Sequence, residues 1–211
     1  MSTVSISTDS RVSLGDISWE TYVALRNEPS NLHVRMTFDQ GRLDLMSTSS
    51  THEQLAYLLG RLIDAWTEER DVDVRSCRCT TFQREDLQKG LEPDNCYYIA
   101  HESEIRGRKI DLTIDPPPDL AIEVDVTSSS VGRLPVYAAL GVPDVWRWSK
   151  SELQVLELRP DGQYQRIATS GSLPGFPLQS AHQLICEYDQ QSDTSLVKSF
   201  RRLIRSLPAG N

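Results

Sequence analysis

Apolar residues return along the chain with two periods, and the changes of period lay out the elements. Leu55, Leu58, Leu59, Leu62, Ile63 and Trp66 recur every three or four positions, the spacing of one helical face, and predict a long helix over 51–69. Ser50 and Glu53 stand just ahead of this stripe in the order of a capping box. Leu196, Val197, Phe200, Leu203 and Ile204 make a second stripe and predict a C-terminal helix over 193–207, with Lys198, Arg201, Arg202 and Arg205 on its outer face. Residues 18–27 predict a short helix, capped by Ser18 and stopped before Pro29. Val34, Met36 and Phe38 alternate instead, so 33–38 reads as a strand. The turn Asp39-Gln40-Gly41 and a return strand over 42–46 complete a hairpin.

Runs rich in β-branched and aromatic residues predict further strands over 72–84, 94–99, 120–126, 144–148, 153–158 and 164–168. Asp161-Gly162 is a hairpin turn between the last two, and Lys89-Gly90 and Gly107-Arg108 read as loops. No regular element runs through Pro116-Pro117-Pro118. A helix is expected from 128–130 to 140, closed by Gly141, with Pro135 forcing a kink or a late start. Helices interleaved with strands imply an α/β fold, a mixed sheet flanked by helices. Residues 18–211 form a single expected domain, preceded by a flexible tail over 1–17 that has neither the basic start nor the apolar stretch of a secretory signal.

Composition narrows the function classes. No apolar run approaches the roughly 20 residues of a membrane span, so no membrane partner is expected. Cys77, Cys79, Cys96 and Cys186 form no C-x-x-C pair. They read as free thiols of a cytoplasmic protein, and their spacing does not suit zinc. The net charge of −8 argues against a surface that binds nucleic acid all over, because phosphate contacts need Lys and Arg. It does not argue against a local basic patch beside a carboxylate site.

The candidate chemistry lies in Leu120-Ala121-Ile122-Glu123-Val124-Asp125-Val126. Side chains alternate on a strand, so Glu123 and Asp125 project together from one face. Like charges that close raise each other's proton affinity unless a cation sits between them. Two readings stay open on this strand alone: the polar outer face of a half-exposed strand, or a site for a hard divalent cation. Asp94, following Pro93 at the head of the preceding strand, is placed to converge on the same cation.

Four runs in order carry a resemblance. They are Gly41-Arg42-Leu43-Asp44-Leu45-Met46-Ser47 followed by His52, Glu92-Pro93-Asp94, Pro117-Pro118-Asp119-Leu120-Ala121-Ile122-Glu123-Val124, and Tyr137-Ala138-Ala139-Leu140-Gly141-Val142-Pro143-Asp144-Val145-Trp146. Together they resemble the Uma-two family of nucleases, over about residues 18–170. The resemblance implies a restriction-endonuclease-like, PD-(D/E)xK core and a metal-dependent endonuclease acting on DNA. Asp94 and Glu123 would then hold Mg²⁺ or Mn²⁺, with the Val124 carbonyl as a third ligand and Asp125 as a further one. A homodimer is expected by analogy with nucleases that cut as dimers.

The chain departs from the family pattern where a Lys belongs, two residues after Glu123. Asp125 stands there instead. The cation is expected from Arg133, four residues before Tyr137, or from Lys109. Arg133 can stabilise developing negative charge but cannot act as a base. His52 is the candidate to titrate near neutral pH beside the metal, and Asp44 is a candidate further acid. The alternative, favoured by the missing Lys and the acidic total, is a degenerate nuclease fold kept as a binding or interaction module.

Overall fold

The computed structural model describes residues 9–127 and 129–208. In chain order the elements are β1 (Ser10–Leu14), α1 (Trp19–Asn27), β2 (Arg35–Asp39), β3 (Arg42–Ser47), α2 (Ser50–Glu69), β4 (Arg75–Ser76), β5 (Phe82–Arg84), β6 (Lys89–Leu91), β7 (Asn95–Tyr98) and α3 (Glu102–Ile105). They continue with β8 (Leu120–Asp125), α4 (Leu134–Leu140), β9 (Asp144–Ser149), β10 (Glu152–Leu158), β11 (Tyr164–Ile167), α5 (Leu178–Cys186) and α6 (Asp193–Ser206). The α/β class is as the sequence implied, with two sheets in place of one. The first runs β1-β3-β2-β6-β5 and is antiparallel throughout. The second runs β11-β10-β9-β8-β7-β4, with β8 and β9 parallel across the α4 crossover.

The apolar stripe of α2 packs on the second sheet. Leu59, Leu62 and Ile63 share the main core with Leu120, Ile122 and Val124 of β8 and with Trp146 and Trp148 of β9. Each such side chain contributes about 1.5–3 kcal/mol when fully buried. Helices α5 and α6 close the same core through Ala181, Ile185, Phe200 and Ile204. The opposite face of the sheet is covered by α4, whose Val136 and Tyr137 meet Ala121, Cys96 and Val145 in a second core. Strand β8 therefore has protein on both faces, and all six of its residues are buried.

Several expectations are corrected. The supposed tail contains β1, which pairs with β3 from Ser10↔Ser47 to Leu14↔Leu43; residues 1–8 of that tail lie outside the described residues. The α2 cap is Ser49, whose Oγ accepts the His52 N–H at 3.2 Å. Glu53 accepts from the Thr48 hydroxyl at 2.7 Å, and Ser50 is the first residue of the helix, not its cap. The strand expected over 72–84 is two short strands, β4 and β5, with a turn between them. Lys89-Gly90, read as a loop, lies in β6, where a Cβ on Gly90 would overlap the Tyr22 ring. Short α3 and α5 went unread. Pro135 sets the late start of α4, after a 3-10 turn over Ser130–Arg133, and Gly141 closes it with φ 80°.

The basic face of α6 is largely spoken for. Arg201 and Arg205 pair with Glu69 at 3.0 and 2.7 Å, clamping α6 to the end of α2.

Candidate functional site

Strands β7 and β8 are antiparallel neighbours, with Asn95 opposite Ile122. That register carries Asp94, one residue ahead of β7, alongside Glu123. The Asp94 N–H donates to the Ile122 carbonyl at 3.1 Å, and Asp94 Oδ2 accepts the Val124 N–H at 2.8 Å. Asp94 is thus tied by its main chain and its side chain to the residues on either side of Glu123. The two carboxylates are buried, at 7 and 1% exposure.

Both carboxylates are met by cations or donors of the chain. Arg133 Nη1 lies 2.6 Å from Glu123 Oε2, and Tyr137, one helical turn on, donates its hydroxyl to Glu123 Oε1. Arg133 also donates through Nη2 to the Glu92 carbonyl. Burial pushes the Glu123 carboxyl up to about 8, against the pull of Arg133 and with the push of Asp94. Asp94 moves the other way: burial opposes its ionisation, but His52, Arg133 and Arg35 together hold it below the usual carboxylate range. Two carboxyls in one site with opposite shifts are a common mark of a functional centre.

His52, in the first turn of α2, is fully buried between two carboxylates. Its Nε2 lies 2.9 Å from Asp94 Oδ1 and its Nδ1 3.7 Å from Asp9 Oδ2. Burial works against its protonation, yet Asp94 and Asp9 raise its pKa above the ordinary value. Asp94 Oδ1 is met by His52 Nε2 and, at 4.0 Å, by Arg35.

Asp125 does not join Asp94 and Glu123. Its Oδ1 accepts the Ser130 N–H at 2.8 Å, and its Oδ2 takes the Arg147 guanidinium, with Nε at 2.7 Å. Among the described residues no three His, Cys, Asp or Glu groups lie close enough together to hold a metal ion. Asp44 sits at the rim, bound to Arg11 at 2.7 Å. Lys109 is remote: it is exposed and lines a different cavity, beside Phe82 and Ile110.

Three arginines and one tyrosine of the site were missed in the sequence. Arg35 on β2 lies 4.0 Å from Asp94 Oδ1. Arg11 belongs to the stretch read as tail. Arg147 stands between Trp146 and Trp148 and opposite Glu123 in the parallel register. With both tryptophans in the main core, alternation alone would have sent Arg147 to the face of Glu123. Tyr137 was visible only as a family motif position, not as a partner of Glu123. Arg11, Arg35 and Arg133, with Asp44, Glu123 and Asp125, line a cavity of about 20 Å³, room for about one water-sized occupant.

The residues present suit a hard cation. The main-chain donor to Asp94, the Val124 N–H, goes to Oδ2 and leaves Oδ1 to side chains, and Glu123 retains lone pairs beyond those used by Arg133 and Tyr137. Two carboxylates with waters and phosphate oxygens are a usual set for Mg²⁺.

No curated protein matches the chain. Among solved structures, one described as a putative nuclease belonging to DUF820, from Anabaena variabilis, matches with a TM-score of 0.52 at 14% identity, over 87% of this chain and 99% of that one. At that identity the likeness is one of fold. The family model described as "Putative restriction endonuclease" (Uma2) matches residues 19–186, which span every element from α1 to α5 and all the buried carboxylates of the site from Glu92 to Asp125. The chain therefore belongs to the Uma2 family of restriction-endonuclease-like proteins.

Proposed function

We propose that the protein is a metal-dependent endonuclease that hydrolyses phosphodiester bonds in DNA. The observation that carries this reading is the pairing of Asp94 and Glu123 across β7 and β8, buried together in one site beside His52 and Arg133. Asp94 and Glu123 would hold Mg²⁺ or Mn²⁺. Bound there, the ion would polarise the phosphate and lower the pKa of an attacking water. The protein's own groups would do the rest. Arg133, fixed by Glu123 and the Glu92 carbonyl, supplies positive charge at the phosphate without giving up a proton. Tyr137 orients Glu123. His52, packed on Asp94, holds that carboxylate in place. Asp125 takes a positioning role, with Arg147 as its counter-ion and the Ser130 turn as its anchor. Four free cysteines suit a cytoplasmic setting, and no helix among the described residues is long and apolar enough to cross a membrane.

The test is cleavage of plasmid and oligonucleotide DNA with Mg²⁺ or Mn²⁺, together with thermal unfolding in the same ions. The wild type should cut and gain stability from the ion by mass action. Asp94→Asn and Glu123→Gln should each lose the cutting and the stabilisation. Cutting by both variants at the wild-type rate would overturn the assignment.

One observation favours a second reading. Where the motif has Lys, Asp125 is already neutralised by Arg147, and Glu123 is held by two donors. A site so fully paired could persist in a binding module that turns nothing over. Such a module would bind DNA, show no response to Mn²⁺ and cut nothing.

A further inference from the structure

Arg35 lines both the carboxylate cavity and a second cleft, which Asp94 also lines. It lies between α2 and the turn that follows β4, and holds about 220 Å³, far more than the roughly 10–15 Å³ that a single water needs. Tyr57 of α2 forms part of its wall. At 46% exposure it is the one aromatic among the exposed large apolar side chains of the described residues. Arg61, one helical turn on, lies over the Tyr57 ring at 5.6 Å and donates to its hydroxyl at 2.9 Å. The ring is therefore held in place rather than swinging free. Arg78 reaches the cleft from the opposite wall. Neither Arg61 nor Arg78 has a carboxylate within 4.0 Å among the described residues, in contrast to the paired arginines of the neighbouring cavity. Gly60 lets α2 approach β7 closely at the floor: a Cβ there would stand 3.0 Å from Asn95 Nδ2 and 3.1 Å from the Tyr97 hydroxyl. Asp64, one turn beyond Gly60, also lines the cleft, and its carboxylate accepts no hydrogen bond from the described residues.

A flat aromatic face, two guanidinium groups outside any salt bridge among the described residues and a carboxylate acceptor match the parts of one nucleotide. The base has π-faces to stack, the phosphate carries negative charge, and the base edge offers N–H donors. We propose that this cleft is a subsite for one unpaired nucleotide beside the scissile phosphate, with its base stacked on Tyr57 and its phosphate held by Arg61 and Arg78. A base inside a duplex cannot offer its face to a side chain without leaving the stack. The substrate class is therefore single-stranded DNA, or duplex DNA carrying an unpaired nucleotide at the cut. The inference rests on the nuclease reading and specifies the substrate of that same site.

The experiment is fluorescence anisotropy with a short, fluorescein-labelled, mixed-sequence oligodeoxynucleotide, single-stranded or annealed to its complement, without divalent metal so that nothing is cut. Wild type should bind the single strand more tightly than the blunt duplex. Tyr57→Ala should weaken single-strand binding about tenfold, within the range for base–aromatic stacking, whereas Tyr57→Phe should keep it. Arg78→Ala should weaken binding and flatten its salt dependence. Tyr57 is at the surface, so the variants should melt with the wild type. Metal-dependent cutting is measured in parallel on wild type, Tyr57→Ala and Glu123→Gln. If Tyr57→Ala binds and cuts like wild type while Glu123→Gln cuts nothing, the subsite is refuted and the nuclease reading stands. Equal binding of duplex and single strand, insensitive to Tyr57, refutes it in the same way. If wild type neither binds nor cuts DNA, both fall together.

Discussion

On one face of β8, Leu120, Ile122 and Val124 are 0, 0 and 3% exposed; on the other, Glu123 and Asp125 are 1 and 8% exposed. The two faces are equally dry and are held by different physics. The apolar face is covered by α2 and the tryptophans of β9, and every atom removed from water there lowers the free energy. The charged face gains nothing from losing water. An ion taken into a protein interior costs several kcal/mol, offset only by close partners of opposite charge. Glu123 has Arg133 and Tyr137, Asp125 has Arg147 and the Ser130 N–H, and Asp94 has His52 and the Val124 N–H. A strand that alternates apolar and charged residues ordinarily has one dry and one wet face. Here burial of the charged face is an expense of stability, and the reason for it has to be sought in chemistry.

The largest effect should come from uncoupling a pair on the charged face. Arg133→Ala leaves Glu123 buried without its guanidinium, and urea unfolding should show a loss of about 3–5 kcal/mol. A loss under about 1 kcal/mol would mean that water reaches Glu123 freely, and the contrast between the faces would dissolve. Next comes the apolar face. Ile122→Ala should cost about 2–5 kcal/mol, as large-to-small changes in cores do, while the folded fraction keeps the metal response of the wild type. If the metal response vanished with it, the two faces would not be separable. Arg147→Ala should be the mildest of the three, at about 1–3 kcal/mol for an acceptor left short of its donor, because Arg147 is 12% exposed and Asp125 keeps the Ser130 N–H. A cost as large as that of Arg133→Ala would place Asp125 as deep in the energetics of the site as Glu123.

Where the sequence misled, the cause was contact between segments far apart in the chain. Gly90 looks like a loop residue locally, but it is a strand residue that makes room for Tyr22 of α1. The segment before Trp19 looks like a tail, yet Asp9 accepts the Ser49 N–H at 2.8 Å and Arg11 binds Asp44. The cleft beside Tyr57 joins α2 to the turn after β4, and no local pattern announces it. The long elements were legible because their own periodicity specifies a buried face: the stripe of α2 and the stripe of α6 stand where the spacing put them, within a residue or two at each end.

By itself the sequence determined the order and kind of the long elements, the two faces of β8 and the short list of residues able to do chemistry, because side-chain periodicity is a local property of the backbone. Only the tertiary structure decided that the acidic face of β8 is buried, that Arg133 and Tyr137 grip Glu123, and that Arg147 is the side chain that Asp125 meets. Those outcomes depend on strand order and register, and on which helix covers which face. They are set by the burial of the whole chain at once, not by any single segment of it.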